Sequence, residues 1–270
     1  MIDRDQWLGL KGSQWGQVRV GTISTQYKSH GAAIDPIYRT VVQARSRSLQ
    51  SNFHLGAGEE LQGRADNTAR YDSPSWNGIK VGGFFTLDSA DTTEDDNPYG
   101  LALSYENGGI LVFGDYMTND GGDTAGQGDI SAWKIGGKYV LNNFSVFGQF
   151  EDSEDDSDLA AADGLTVWHL GGTYTMGNNM IYAAYGEGEA DFRGGGFDDE
   201  EYTTWSIVGI HKMSKRTKVY AGYSAADCDA NMNNIYANGM DVAVCKDIEG
   251  GTGTGGGDNT AWTAGIKHKF

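Results

Sequence analysis

The chain has 270 residues, 41 of them glycine and only 3 proline, and a formal charge of −17. Abundant glycine with scarce proline suits strands joined by tight turns and excludes a Pro-rich disordered chain. So acidic a surface excludes a phosphate-backbone binder, so nucleic acid is not expected as a partner. No run reaches the roughly 18 apolar residues of a transmembrane helix, a criterion that leaves membrane strands open.

Period-two alternation predicts strands, in chain order, at about 5–11, 17–23, 67–73, 79–86, 98–106, 110–116, 129–141, 144–151, 164–176, 180–187, 202–213, 217–225 and 259–270. Tight turns are expected at Asn77-Gly78, Asn107-Gly108, Asn142-Asn143, Asn178-Asn179 and Ser214-Lys-Arg216, where Asn and Gly supply positive φ. Between these turns lie acidic or Gly-rich loops at about 88–97, 117–128, 152–163, 188–201 and 226–258. One end therefore carries short turns and the other long loops.

The stretch 24–66 breaks the rhythm, being too long for a hairpin loop and too polar for a strand. It mixes Arg39, Arg45, Arg47 and Arg64 with Asp35, Glu59, Glu60 and Asp66. A structureless loop of this length is usually functional or disordered, and inside a barrel it could fold inward and narrow the lumen. On the strands beside it, Gln17, Arg19 and Gly21 share one face, as do Thr68, Arg70 and Asp72. The expectation is a basic wall, Arg19 and Arg70, facing acidic loop residues Asp35, Glu59 and Glu60.

Four later segments repeat one pattern: Trp133 to Leu141, Trp168 to Met176, Trp205 to Met213 and Trp262 to Phe270. One face reads Trp, aliphatic or Ala, Gly or Ile, Tyr or His, then a large apolar residue. The other carries Lys134, Lys138, His169, Thr173, Ser206, Lys212, Thr263, Lys267 and Lys269. Eight steps at about 3.3 Å, tilted by roughly 40°, cover about 20 Å of height, near the ~25 Å apolar band of a barrel in an outer membrane. The greasy face, with Trp133, Trp168, Trp205 and Trp262 at one level and Tyr139, Tyr174 and Phe270 near the other, is expected to meet lipid. The fold class is all-β, an antiparallel up-and-down transmembrane β-barrel. Thirteen strands cannot close antiparallel, and Met1–Trp7 shows no export signal. Three further strands before residue 1 would make sixteen.

Cys228 and Cys245, both in the last long loop, read as one disulfide in an exported protein. The acidic runs Glu94-Asp-Asp96, Glu151 to Asp156 and Asp198-Asp-Glu-Glu201 are placed in loops. They form a solvated rim that draws cations, or candidate Ca²⁺ or Mg²⁺ ligands. The five histidines have no metal-ligand spacing, and no nucleophile elbow or phosphate loop occurs, so the chain does not read as an enzyme. Gly121-Gly-Asp and Gly255-Gly-Gly-Asp258 look like calcium-binding nonapeptides, but isolated copies do not build a β-roll.

In order along the chain stand Asp3-Arg-Asp-Gln-Trp-Leu-Gly-Leu-Lys-Gly12, Trp15-Gly-Gln-Val-Arg-Val-Gly21, Asn67-Thr-Ala-Arg-Tyr-Asp-Ser-Pro74, Met213-Ser-Lys-Arg-Thr-Lys-Val-Tyr220 and Gly265-Ile-Lys-His-Lys-Phe270. Together they resemble the general diffusion porins of Gram-negative outer membranes. The resemblance implies a sixteen-stranded barrel, a homotrimer, contact with lipid and lipopolysaccharide, and passage of ions and small hydrophilic solutes without a cofactor. It implies that 24–66 is the pore-constricting loop within a single barrel domain over 1–270, and that the terminal Phe270 is read by barrel-assembly machinery. A substrate-specific channel is the rival reading within the same class.

Overall fold

A computed structural model describes residues 5–50, 64–87, 98–119, 129–156, 162–192, 200–229, 245 and 259–269. The strands are β1 Gln6–Gly12, β2 Gly16–Ser24, β3 Arg64–Asp72, β4 Ile79–Thr86, β5 Tyr99–Asn107, β6 Ile110–Asn119, β7 Ile130–Leu141, β8 Phe144–Asp155, β9 Ala162–Met176, β10 Asn179–Phe192, β11 Glu200–Lys212, β12 Thr217–Cys228 and β13 Asn259–His268. They form one sheet in sequence order, each antiparallel to the next. No described helix is long and apolar enough to cross a membrane, which says nothing of strands.

Two turns sit one residue earlier or later than the sequence suggests. The chain reverses at Gly108-Gly109, both at positive φ, and at Gly177-Asn178, with Gly177 at φ 59°. Glycine takes the left-handed region without a Cβ clash, so it displaces the neighbouring Asn from that position. Asn77-Gly78 turns where expected, with φ 54° and 95°. At the opposite end β6, β8 and β10 run several residues further into the expected loops. The acidic run from Glu151 is therefore not a loop: Glu151 to Asp155 complete β8 and alternate in burial. Backbone pairing with Ile130 to Lys134 of β7 outweighs the poor strand propensity of Asp.

Alternation gives the sheet two unlike faces. On β7, Trp133, Ile135, Tyr139 and Leu141 are exposed, while Ala132 and Lys134 on the opposite face are buried. A soluble sheet would bury the first set. What covers the second is the segment after β2. It is not structureless: it forms helix α1, Gln26–Ala33, and a 3₁₀ turn at Arg45–Arg47. Thr25 caps α1, its Oγ1 accepting from Lys28 N at 3.2 Å. The helix stops at Ile34, before Asp35-Pro36, as a proline two positions on requires.

Residues 25–50 lie across the concave face. Helix α1 packs on β4, β5 and β6. Further along, Arg47 reaches β12 and β13, and the Tyr202 hydroxyl of β11 donates to Ser48 O at 2.8 Å. The sheet thus wraps around this inner loop. Ile34, Ile37, Val42 and Leu49 are fully buried against Leu111, Phe113, Phe147, Tyr182, Val208 and Ile210 of the wall. Burying these four side chains contributes on the order of 10 kcal/mol, as an upper bound. Glycine on the wall makes room: a Cβ on Gly186 would stand 2.8 Å from Leu49 Cδ2.

Candidate functional site

The first half of the inner loop is held by side chains of the wall. Lys134 of β7 donates to Tyr27 O at 2.6 Å, and its ammonium lies 3.9 Å from the Tyr27 ring centroid. Tyr27 donates to Glu151 of β8. Burial, then the Glu151 carboxylate, raises the Tyr27 pKa well above that of a free phenol. His30 Nδ1 lies 2.7 Å from Asp115 Oδ1, and its ring stacks on Phe113 at 4.9 Å. Lys138 donates to Ala33 O, at the C-terminal end of α1, at 2.8 Å.

The second half is tied in the same way. Lys267 of β13 donates to Tyr38 O at 2.7 Å. Arg45 donates to Lys28 O at 3.1 Å, joining the two halves. Arg47 donates from Nε to Ser224 Oγ at 2.8 Å and from its terminal nitrogens to Asn259. Both arginines are buried, and desolvation lowers the pKa of each. Arg39 is the more exposed one, with positive φ and its guanidinium over the Tyr38 ring.

Asp35 is where the expectation of an acidic loop facing a basic wall gives way. Its Oδ1 accepts from Ile37 N and its Oδ2 from Ala44 N, both at 2.9 Å. It staples the loop to itself rather than confronting Arg19 and Arg70. Burial raises its pKa from 3.8 to about 6, against the lowering effect of those two amides and of Arg45. Glu59 and Glu60 lie outside the described residues.

Arg19 and Arg70 do share one face, directly opposite each other across β2 and β3. The carboxylate they meet belongs to their own wall. Asp72 Oδ2 pairs with Arg19, and Asp72 Oδ1 lies 2.7 Å from an Arg70 terminal nitrogen. Arg70 also donates to Ser24 O, and to Ser29 Oγ at 3.2 Å, clamping the start of the inner loop. Beside this group opens a polar cavity of about 630 Å³, lined by Lys11, Lys80, Lys138, Arg70, Asp72 and Glu106 among others. Sequence reasoning missed Asp72 as the shared partner, although its period with Arg70 was visible.

On the convex face, Trp133, Trp168, Trp205 and Trp262 are all exposed, as are Tyr139 and Tyr174. They belong to continuous rows. Trp133 packs on Phe150, Trp168 on Tyr185, Trp205 and Trp262 on Tyr223, and Phe144 on Tyr174. The partners Phe150, Tyr185 and Tyr223 stand on strands that lack the repeat, so only register could have found them. Phe270 lies outside the described residues. Cys228 and Cys245 are bonded, with Cα atoms 5.8 Å apart, and pack with Leu165, Val167 and Tyr202 rather than in polar surroundings. Of the acidic runs, Glu94 to Asp96 and Asp198-Asp199 lie outside the described residues. Among the described residues no three metal-ligating side chains converge.

A family model for Gram-negative porins matches residues 1–231. Comparison with curated protein sequences finds no match. Among solved structures, the anion-selective porin from Comamonas acidovorans aligns with a TM-score of 0.74 at 18% identity, over 98% of this chain and 77% of that one. The Salmonella typhi OmpF complex with daunomycin gives 0.68 at 12%, over 96% and 77%. The trimer form of OmpT from Vibrio cholerae gives 0.66 at 15%, over 97% and 80%. At such identities these structures speak for the fold alone, a porin β-barrel. The match over 1–231, on a sheet that is greasy outside and lined with charge within, shows that the chain belongs to the Gram-negative porin family and is an outer-membrane diffusion channel.

Proposed function

We propose that residues 24–66 set the narrowest section of this channel, and that ions and small hydrophilic solutes pass between the inner loop and the wall beside Arg19, Arg70 and Asp72. The observation that carries this reading is the span of the loop. Its described part runs from β4–β6 to β11–β13 and is fastened to both sides by buried hydrogen bonds. A segment so fixed excludes solvent from the cross-section it fills and leaves the polar cavity as the path. Arg19, Arg70, Lys11, Lys80 and Lys138 against Asp72 and Glu106 give that path a local excess of positive charge despite the acidity of the whole chain. That excess favours anions, the selectivity named for the Comamonas acidovorans porin.

The convex aromatic rows suit the two membrane interfaces, where Trp and Tyr are enriched. Homotrimer formation is proposed with the trimer form of OmpT as precedent. Lipopolysaccharide contact and recognition of Phe270 by assembly machinery are proposed on the resemblance of sequence, and divalent cations at the acidic loops on their clustered carboxylates. Planar-bilayer recording of protein purified from outer membranes tests the constriction. Shortening the loop by deleting residues 34–50 is expected to raise unit conductance and weaken solute exclusion in liposome swelling. Unchanged conductance in a folded barrel would remove the loop from the path.

A further inference from the structure

At the short-turn end, three lysines stand in register on adjacent strands. Lys212 of β11 is directly opposite Lys218 of β12, and Lys218 is directly opposite Lys267 of β13. All three fall on the concave face by alternation. Like charges directly opposite one another destabilise a sheet, so the row works against folding. Arg39 of the inner loop and Lys269 add to the repulsion felt by Lys267, and Lys269 also acts on Lys218. Among the described residues the anion acting on both Lys218 and Lys267 is Asp35. Its two oxygens are already occupied by Ile37 N and Ala44 N, and burial weakens its charge. Among the described residues the ammonium groups of Lys212 and Lys218 have no hydrogen-bonded acceptor and no ion pair.

We propose that this row is a binding track for small multivalent oxyanions, of which inorganic phosphate is the simplest. Lys212 and Lys218 stand opposite each other on strands about 5 Å apart, which lets two ammonium groups share one tetrahedral oxyanion with several acceptor oxygens, while Lys267, held to Tyr38 O at 2.7 Å, flanks them. A monovalent halide satisfies one lysine at a time and gains less. The track adds to the channel reading a preferred solute class, and it rests on that reading for its access to solutes. It lies on β11–β13, away from the strands that carry the Arg19–Arg70–Asp72 group.

The test uses detergent-purified protein and two readouts. Calorimetric titration with inorganic phosphate is expected to show saturable binding that weakens at least about tenfold, or about 1.4 kcal/mol, in Lys212→Gln/Lys218→Gln. Lys215→Gln, in the adjoining turn, should bind as the parent does. In planar bilayers, millimolar phosphate added on the turn side should reduce chloride current through the parent channel and not through the double variant. Lys212→Arg/Lys218→Arg should retain both effects, which separates charge from folding. Conductance without saturable phosphate binding, or equal block in parent and double variant, overturns the track and leaves the channel intact. Saturable, lysine-dependent binding in a protein that never conducts would instead support the track and overturn the diffusion-channel reading on which its transport role rests.

Discussion

Tyr27 and Glu151 are 124 residues apart in sequence, yet the Tyr27 hydroxyl donates to the Glu151 carboxylate inside the wrapped sheet. Gln149 Nε2 donates to the other Glu151 oxygen at 2.9 Å, and Lys134 sits over the Tyr27 ring. The inner loop is thereby fixed to two neighbouring strands at one point. Tyr27→Phe removes the donor and leaves a buried carboxylate under-satisfied, a cost of about 1–3 kcal/mol. Hydrogen exchange should show faster exchange across α1, and bilayer traces should show more frequent closures. An unchanged α1 would mean that the apolar contacts alone hold the loop.

Asp35 gives the loop a pH dependence. Its folded pKa is raised from 3.8 to about 6 by burial, so the protonated form favours the docked loop. The contribution is complete below about pH 4 and is lost as pH rises through about 6. A shift of about two units corresponds to about 3 kcal/mol. Protection factors of the Ile37 and Ala44 amides should fall between about pH 4 and 6.5 in the parent. In Asp35→Asn they should not vary with pH, and they should be lower at acid pH because one acceptor is gone. A flat parent profile would contradict this.

The Arg19–Arg70–Asp72 group makes opposite predictions for its members. Arg70→Gln should lower the chloride-to-potassium permeability ratio, and Asp72→Asn, which frees two guanidinium groups, should raise it. Each change is expected to be roughly two- to five-fold, the equivalent of about 0.5–1 kcal/mol. Reversal potentials under a salt gradient read it directly. Shifts of the same sign in both variants would place the group outside the ion path.

The bond between Cys228 and Cys245 closes a loop of 17 residues at the end of β12. Replacing both with Ser should lower stability by about 2–4 kcal/mol. A lower midpoint in thermal unfolding followed by circular dichroism is expected, with little change in conductance, because the bond lies against Leu165 and Val167 rather than at the arginine group. A large change in unit conductance would tie that loop to the path instead.

Strand order and orientation were legible because a lipid-facing surface imposes a strict period of two, and the Trp repeat writes it four times. The inner loop was legible only as an interruption. Its apolar anchors Ile34, Ile37, Val42 and Leu49 have no period, and their partners Phe113, Tyr182 and Val208 are apolar residues on the wall face that alternation assigns to water. Asp35 was misread for a related reason: its role depends on two backbone amides that only the fold brings to it. The acidic end of β8 was misplaced because composition favours a loop there, while pairing with β7 decides otherwise.

Spin labels placed one at a time at Ile135, Leu170 and Ile207, and at Lys138, Lys212 and Lys218, in protein reconstituted into lipid vesicles, put the orientation of the wall to the most direct test. The first three should collide with dissolved oxygen and be shielded from a water-soluble nickel chelate, and the second three should do the reverse. Apolar positions open to the chelate, with lysine positions shielded from it, would contradict a channel with lipid outside and water within.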